Sequence, residues 1–151
     1  MMAGLEPSFL SPDGGKKCNV FADTITIKIT SEMTNGAYSI SEDVTPPGQG
    51  APPHVHTREL ETFIVLEGEY EFQCGNNKFK ATKGAIVVLP KEIPHGFRNT
   101  GNTTGKTLVV LVSGGMEKVF EDIGAMPPGP PDIGKINVIT AKYGVEFLPM
   151  G

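Results

Sequence analysis

The sequence lacks any concentration of positive charge. Its 13 lysines and arginines are outnumbered by 17 aspartates and glutamates, and both signs are mixed along the chain. A protein that binds a nucleic acid backbone needs a basic patch or stripe to neutralise the phosphates. The composition therefore predicts no nucleic acid partner.

Long apolar runs are missing as well. The longest, such as Leu108 to Val112, fall far short of the roughly 20 residues that a membrane-spanning helix requires. Residues 1–15 show neither the basic nor the apolar region of a secretory signal. We therefore expect no membrane partner and a cytoplasmic location.

Cysteine is scarce, since Cys18 and Cys74 are the only two in the chain. Disulfides persist mainly in oxidising compartments, and the sequence shows no secretory signal. The two residues are therefore expected to be buried free thiols rather than a disulfide.

What the sequence does contain is a regular series of short β-like segments. Stretches rich in Val, Ile, Thr and Tyr alternate with turn residues at intervals of about 8–12 residues. Gly75-Asn76-Asn77 indicates a hairpin turn between two of them, and residues 46–53 are predicted to be a rigid proline-rich loop. This rhythm predicts an all-β sandwich or barrel rather than a parallel sheet with crossover helices.

The pattern divides the chain into three parts, which we expect to form one domain because 151 residues suit a single core. Residues 1–16 are predicted to be a flexible N-terminal arm, and residues 17–114 the β-barrel. Residues 115–151 are predicted to be a helical appendage packed on the barrel, with one helix ending at Gly124 and another before Gly144.

The histidines carry the strongest chemical signal. The chain has only three, and His54 and His56 are separated by a single residue. Side chains at i and i+2 of a strand point to the same face, so both imidazoles can reach one metal ion. His95 follows two prolines that hold the chain extended, and it completes the set if its strand lies beside the first.

A carboxylate close behind the histidine pair is the fourth candidate ligand. Glu61 faces the histidines only if residues 57–60 form a bend, which their polar character favours. Glu59 is the alternative, and it is predicted to be a solvated loop residue instead. Imidazole and carboxylate ligands together suit a divalent metal of the first transition row.

These residues resemble the two signatures of the cupin superfamily. The first signature is matched by Gly48, His54, His56, Glu61 and Gly68, and the second by Gly84, Pro90, His95 and Asn99. One position departs, because Glu92 stands where the family usually has glycine, in the turn before His95. The resemblance covers residues 36–113, and the C-terminal segment resembles that of single-domain quercetin-dioxygenase-like cupins.

The resemblance implies a small jelly-roll β-barrel with a short C-terminal helical appendage. It also implies one divalent metal ion (Fe, Mn, Ni, Co, Cu or Zn), and its ligands would be His54, His56, Glu61 and His95. In quercetin-dioxygenase-like cupins the glutamate that matches Glu61 is thought to act as a base, so the same catalytic role is implied here.

Strand parity gives a prediction for the residues that line the substrate pocket. If Glu61 and His95 face inward, Phe63 and Phe97 do too. Tyr38 and Phe72 are placed on inward faces by the same counting. The alternative role for these aromatics is simple core filling. An apolar pocket beside a metal suits a small hydrophobic or aromatic ligand.

Two strands, Ala85–Pro90 and Leu108–Val112, are apolar on both faces. A half-exposed strand would alternate, so their outer faces must be covered by the C-terminal helices or by a second subunit. We expect a homodimer.

Three functions fit this sequence. The first is a metal-dependent dioxygenase acting on a small hydroxy or keto substrate, with Glu61 as the base. The second is a non-redox isomerase or lyase in which the metal polarises a carbonyl group. The third is a small-molecule binding protein without turnover, because one fold hosts many functions.

Overall fold

The computed structural model describes residues 5–149, and in this range the chain folds into two antiparallel sheets that face one another. The predicted all-β jelly roll is confirmed. The strands are β1 (Lys16–Val20), β2 (Asp23–Ile29), β3 (Ser39–Thr45), β4 (Gly50–His56), β5 (Leu60–Glu67), β6 (Tyr70–Cys74), β7 (Asn77–Ala81), β8 (Ile86–Leu89), β9 (His95–Asn99), β10 (Gly105–Val112) and β11 (Val145–Phe147). The helices are α1 (Met116–Gly124) and α2 (Ile133–Thr140).

One sheet has six strands in the order β1-β2-β3-β10-β5-β8, and the other has five in the order β11-β4-β9-β6-β7. Alternation along the strands builds the core between them. On β5, for example, Phe63 and Val65 are buried while Ile64 and Leu66 are only half-buried. Cys18 and Cys74 are both buried and unpaired, as predicted.

The predicted hairpin at Gly75 is present. Gly75 and Asn76 join β6 to β7, with Cys74 opposite Asn77. Gly75 has φ of 58°, a conformation that glycine adopts without steric cost.

The proline-rich loop is shorter than predicted, because β4 begins at Gly50 and contains Pro52 and Pro53. Prolines lack the backbone N–H that a regular ladder requires. The pairing of β4 with β9 shifts register between Ala51 and His54, and this bulge accommodates them.

The C-terminal segment contains the two predicted helices and one element that the sequence pattern did not indicate. Strand β11 pairs with β4, so residues 145–147 complete the five-stranded sheet beside the histidine pair. The side chain of Asn137 on α2 fixes the strand, donating to the Phe147 carbonyl at 2.9 Å and accepting from its N–H at 2.8 Å.

The helices do not cover the outer face of β8. Helix α1 packs against β1, at the opposite edge of the six-stranded sheet. Ile86 and Val88 remain 65% and 54% exposed in the single chain. The homodimer stays a prediction.

Residues 1–4 lie outside the described residues, so the predicted flexibility of that part of the arm stays a prediction. From residue 5 to residue 149 no helix is long and apolar enough to cross a membrane.

Candidate metal centre

Four side chains that could bind a metal meet between the two sheets. They are the predicted ligands His54 and His56 on β4, Glu61 on β5 and His95 on β9. Their ligand atoms all lie within 4.8 Å of one another, and all four residues are buried. His54 is directly opposite His95 across the β4–β9 pair, so the ladder itself brings two imidazoles together.

The bend that brings Glu61 inward is present. Strand β4 ends at His56 and β5 begins at Leu60, with residues 57–59 irregular between them. The Thr57 N–H donates to the Gly144 carbonyl at 2.9 Å, which ties this bend to the segment before β11. The reversed parity places Glu61 on the face that His54 and His56 share.

Each histidine is oriented through its Nδ1 atom. His54 Nδ1 lies 2.8 Å from the Pro52 carbonyl, and His95 Nδ1 lies 3.2 Å from the Ile93 carbonyl. A carbonyl oxygen only accepts, so in both rings the proton sits on Nδ1 and the lone pair on Nε2 is free for a metal.

His56 has the same arrangement with a carboxylate. Its Nδ1 lies 3.1 Å from Oε2 of Glu59, which accepts the hydrogen bond. The prediction that Glu59 is solvated is wrong, because the residue is only 4% exposed. The bend after β4 folds Glu59 back over the His56 ring. The only sequence signal was that Glu59 lies three residues after His56, and this spacing does not show whether the loop turns toward the histidine or toward solvent.

Buried atoms without hydrogen-bond partners indicate that the site can bind a metal ion. Oε2 of Glu61 and Nε2 of His95 are buried and have no hydrogen-bond partner among the described residues. Oε2 of Glu61 lies 3.2 Å from His56 Nε2 and 3.3 Å from His95 Nε2. Two ligands about 2.1 Å from a metal and at right angles are about 3 Å apart, which is close to these distances. A shared cation would satisfy both orphaned atoms.

Electrostatics prepare two of the ligands. Burial, together with the neighbouring His56 and His95, lowers the pKa of His54 to about 3, so its imidazole is neutral at physiological pH. Burial alone would raise the pKa of Glu61, but the three histidines, His56 first, outweigh it and lower that pKa to about 2. Glu61 is therefore an anion, as a metal ligand must be.

His56 differs, because it faces two carboxylates. Burial alone would lower its pKa, but Glu61 and then Glu59 outweigh burial and raise it. A proton therefore competes with a metal for His56 Nε2, and acid should weaken binding.

The departure at Glu92 leaves the turn before His95 intact. Glu92 has φ of 67°, the left-handed conformation that favours the glycine usual at this position in the family. Its N–H donates to the His56 carbonyl at 2.8 Å, which links the turn to the ligand strand. The backbone therefore adopts the required shape at the expense of some strain.

A narrow cavity adjoins three of the four residues, namely His54, His56 and Glu61. Of the predicted lining aromatics, Phe63 and Phe97 contact it. The prediction for Phe72 is wrong, because the residue does not line the cavity but is fully buried behind them, with its ring 5.0 Å from that of Phe63 and 5.6 Å from that of Phe97.

The prediction for Tyr38 is wrong, because its side chain is 38% exposed and does not reach the cavity. The parity of β3 is opposite to the prediction. The polar residues Ser39, Ser41 and Asp43 face inward, whereas Ile40 and Val44 face outward and are only half-buried. The prediction assumed that the hydrophobic residues of this strand face the interior, but the interior side of the strand is the polar one.

Several lining residues were not predicted. Among them are Asp23, Ser41 and Asp43 on the six-stranded sheet, Met116, Val119 and Phe120 on α1, and Phe147 on β11. The Phe147 ring stacks on that of His54, with centroids 4.9 Å apart. Because these residues lie far from the histidines along the chain, no local sequence pattern indicates that they share the cavity.

The cavity is small, with about 50 Å³ available to the centres of water molecules. Because this volume contains only the positions of molecular centres, the space that atoms can occupy is larger, and the cavity suits a small, compact ligand. Its charged lining consists of acids and histidines, and in the described part of the chain neither lysine nor arginine lines it.

Known proteins share this fold. Residues 42–111 match the model of the cupin domain. KdgF from Halomonas sp. superposes with a TM-score of 0.66 at 16% identity, over 74% of this chain and 98% of that one. A protein described as a predicted oxalate decarboxylase from Thermotoga maritima gives a TM-score of 0.58 at 24% identity, over 65% and 90%.

Sequence relatives include germin-like protein 1-3 from Oryza sativa subsp. japonica, which is 34% identical over 89 residues. That match covers 54% of this chain and 40% of the relative. The chain spans about half the length of the first curated relatives it matches. The matched region holds the histidine pair, Glu61 and His95 on the strands described above, and residues 42–111 are therefore a cupin domain.

Proposed function

We propose that the protein is a metal-dependent dioxygenase whose substrate is a small, largely apolar hydroxy or keto compound. The observation that carries the proposal is the convergence of three imidazoles and one carboxylate beside a largely apolar cavity. Three imidazoles and one carboxylate would leave up to two positions open on an octahedral ion for a chelating ligand.

The residues that would hold the ion are His54, His56, Glu61 and His95. When bound, a divalent first-row transition metal supplies Lewis-acid polarisation of a substrate oxygen and, where redox-active, one-electron chemistry toward dioxygen. Phe63, Phe97 and Phe147 would pack against the apolar part of the substrate and exclude water from it.

Glu61 would move the proton. Its Oε2 has no hydrogen-bond partner among the described residues, so when the carboxylate is released from the metal this oxygen would accept a proton from a substrate hydroxyl. A carboxylate with a pKa of about 2 is a weak base, so the donor must be acidic. Enols and phenols beside a carbonyl fit this requirement better than simple alcohols.

The lining argues against a small dianion as substrate. Asp23, Asp43 and Glu61 all contact the cavity, and no described lysine or arginine does. Anionic ligands are usually met by such cations. The protein is therefore proposed to act on a neutral compound.

A non-redox isomerase or lyase is the second candidate. The observation that favours it is the additional pair of buried carboxyl groups, Asp23 and Asp43, in the same cavity. Such groups could relay a proton to a substrate carbon without any need for dioxygen.

Oxygen uptake would separate the candidates. Metal-free protein is reconstituted with Fe, Mn, Ni or Co and supplied with acetylacetone, 3-hydroxy-4-pyranones and the larger flavonols. We expect uptake with at least one metal form, favouring the smaller compounds because the cavity is narrow. Glu61→Gln should abolish it, whereas Glu67→Gln, at the exposed end of the same strand, should not.

Stoichiometric metal without oxygen uptake would contradict the dioxygenase. Conversion of a substrate under anaerobic conditions would then support the isomerase or lyase. Chelation with no conversion would leave a small-molecule binding protein.

A further inference from the structure

Strand β3 turns an unusual face toward the barrel interior. All four of its inward side chains are polar, and all four are buried; they are Ser39, Ser41, Asp43 and Thr45. Buried polar groups in proteins normally find hydrogen-bond partners, and an exception calls for an explanation. Here Oγ of Ser41 and Oδ1 of Asp43 have none among the described residues.

Asp23 on β2 extends this polar surface, and we call Asp23, Ser41 and Asp43 together the polar wall. Its Oδ2 accepts a hydrogen bond from the Thr45 hydroxyl at 3.0 Å, whereas its Oδ1 has no partner in the described chain. The Asp23 and Asp43 carboxyl groups lie within hydrogen-bonding reach of each other, and a proton shared between them would still leave lone pairs on both groups for a ligand. Burial, and for Asp43 also the charge of Asp23, raises the pKa of both, so the pair retains a proton to higher pH than an exposed aspartate would.

The residues that carry these unpaired oxygens line the same cavity as the metal ligands. Asp23, Ser41 and Asp43 line it together with His54, His56 and Glu61. Residues left unpaired in an ordinary packing defect would not be expected to gather at one wall of one cavity. Their pairing capacity is therefore available to whatever occupies the space.

The sheet fixes how far this wall lies from the metal ligands. Strand β10 separates β3 from β5, so the two strands are about 10 Å apart. The register places Ser41 opposite Val109, and Val109 opposite Phe63. The order along the cavity wall is thus polar at Ser41, apolar at Val109 and Phe63, and polar again at Glu61.

We propose that Ser41, Asp43 and Asp23 form a hydrogen-bonding subsite for a hydroxyl group of the substrate, at the far end from its metal-chelating group. This inference rests on the proposed function. The Ser41 hydroxyl can both donate and accept, and the carboxyl oxygens of Asp23 and Asp43 can accept, so the three groups suit an alcohol or phenol. The substrate class is therefore a neutral compound with a chelating hydroxy-ketone or enol, a short apolar body and a second hydroxyl group.

Two pyranones that differ in one atom test the subsite. Kojic acid and allomaltol share one chelating group, but kojic acid carries a hydroxymethyl group where allomaltol has a methyl group. Binding to the Co(II)-loaded full chain is followed without oxygen through the visible absorption of cobalt. We expect kojic acid to bind about tenfold more tightly to the wild-type protein, as one well-placed hydrogen bond allows.

The variants decide where the preference arises. Ser41→Ala and Asp43→Val should each remove most of it while leaving the affinity for allomaltol and the cobalt content unchanged. Ser39→Ala is the matched control, because Ser39 shares the inward face of β3 but does not line the cavity. If Asp43→Val does not fold, the preference for kojic acid over allomaltol is compared between Ser41→Ala and Ser39→Ala, and that comparison tests the subsite.

Equal affinity of the two pyranones for the wild-type protein would overturn the subsite, yet chelation of both would leave the proposed function standing. A preference that survives in Ser41→Ala would also overturn it. Binding of neither pyranone by cobalt-loaded protein would overturn the subsite and the proposed chelating substrate together.

Discussion

The two sheets contribute to one cavity in different ways. The five-stranded sheet supplies three histidines, and each Nδ1 atom is held by a carbonyl or carboxylate oxygen. The six-stranded sheet supplies the fourth ligand, Glu61 on β5, and, on β2 and β3, Asp23, Ser41 and Asp43, each with an oxygen that has no partner among the described residues. Imidazoles whose Nδ1 atoms are already hydrogen-bonded are oriented to bind an ion with a defined coordination geometry. Groups with unpaired oxygens instead suit a ligand that can form hydrogen bonds with them.

The largest effect should come from the ligands themselves. His56→Ala or Glu61→Ala should lower metal affinity by more than about 100-fold, since loss of a ligand should exceed the 10- to 100-fold loss of an outer partner. Metal content after dialysis against a competing chelator measures this. Asp43→Asn should retain its metal, because the polar wall is not part of the ligand set. Full metal content in His56→Ala or Glu61→Ala would contradict the assignment of these residues as metal ligands and their distinction from the polar wall.

Glu59 tests whether the orientation of a ligand matters. Glu59→Ala should weaken metal binding by about 10- to 100-fold, because the His56 ring loses its Nδ1 partner. Glu59→Gln retains an oxygen acceptor and should recover most of the affinity. Competition titration with a chelating dye measures both variants. If the two lost affinity equally, charge rather than orientation would explain the role of Glu59.

The polar wall should reveal itself through pH. The pKa of Asp43 is raised in the folded protein, so its favourable contribution is complete below the unfolded pKa of about 3.9 and is lost as pH rises through the folded value. In metal-free protein, Asp43→Asn should therefore gain stability relative to wild type across that window. The gain should reach at most about 1.4 kcal/mol per pH unit.

Urea unfolding at several pH values would measure this difference. Glu42→Gln, on the outward face of the same strand, is the control and should follow the wild type. A difference between Asp43→Asn and wild type that does not change with pH would contradict the raised pKa.

The smallest effect is expected at the turn before His95. Glu92→Gly should raise the free energy of unfolding by up to about 1 kcal/mol, because glycine relieves the strain at φ of 67° but loses more entropy on folding. Glu92→Ala keeps the Cβ atom and should not gain stability. Urea midpoints of the metal-free variants provide the measurement, and equal midpoints for glycine and alanine would show that the conformation is unstrained.

The metal ligands could be predicted because their geometry follows from local rules. One intervening residue puts His54 and His56 on one face, and a polar bend accounts for Glu61. Asp43 and Phe147 could not be predicted in the same way. Asp43 faces inward against the hydrophobic pattern of its own strand, and Phe147 reaches His54 only through the long-range pairing of β11 with β4.

The same limit applies to Tyr38 and Glu59. Parity counting assumes that the apolar side of a strand is the buried one, and β3 reverses that assumption at Tyr38. Polarity alone predicts solvent exposure for Glu59, but a histidine partner makes its burial tolerable.

The pairing of β11 with β4 also has a consequence for how the protein is made. Ribosomes synthesise the chain from its N-terminus, so His54 and His56 emerge well before β11, which pairs with their strand. Until residues 145–147 are synthesised, the edge of β4 is unpaired and the His54 ring lacks its aromatic neighbour. A nascent chain halted before this strand should therefore expose an unpaired sheet edge beside an incomplete site, so the synthesis of residues 145–147 is the step that protects this edge of the barrel from aggregation.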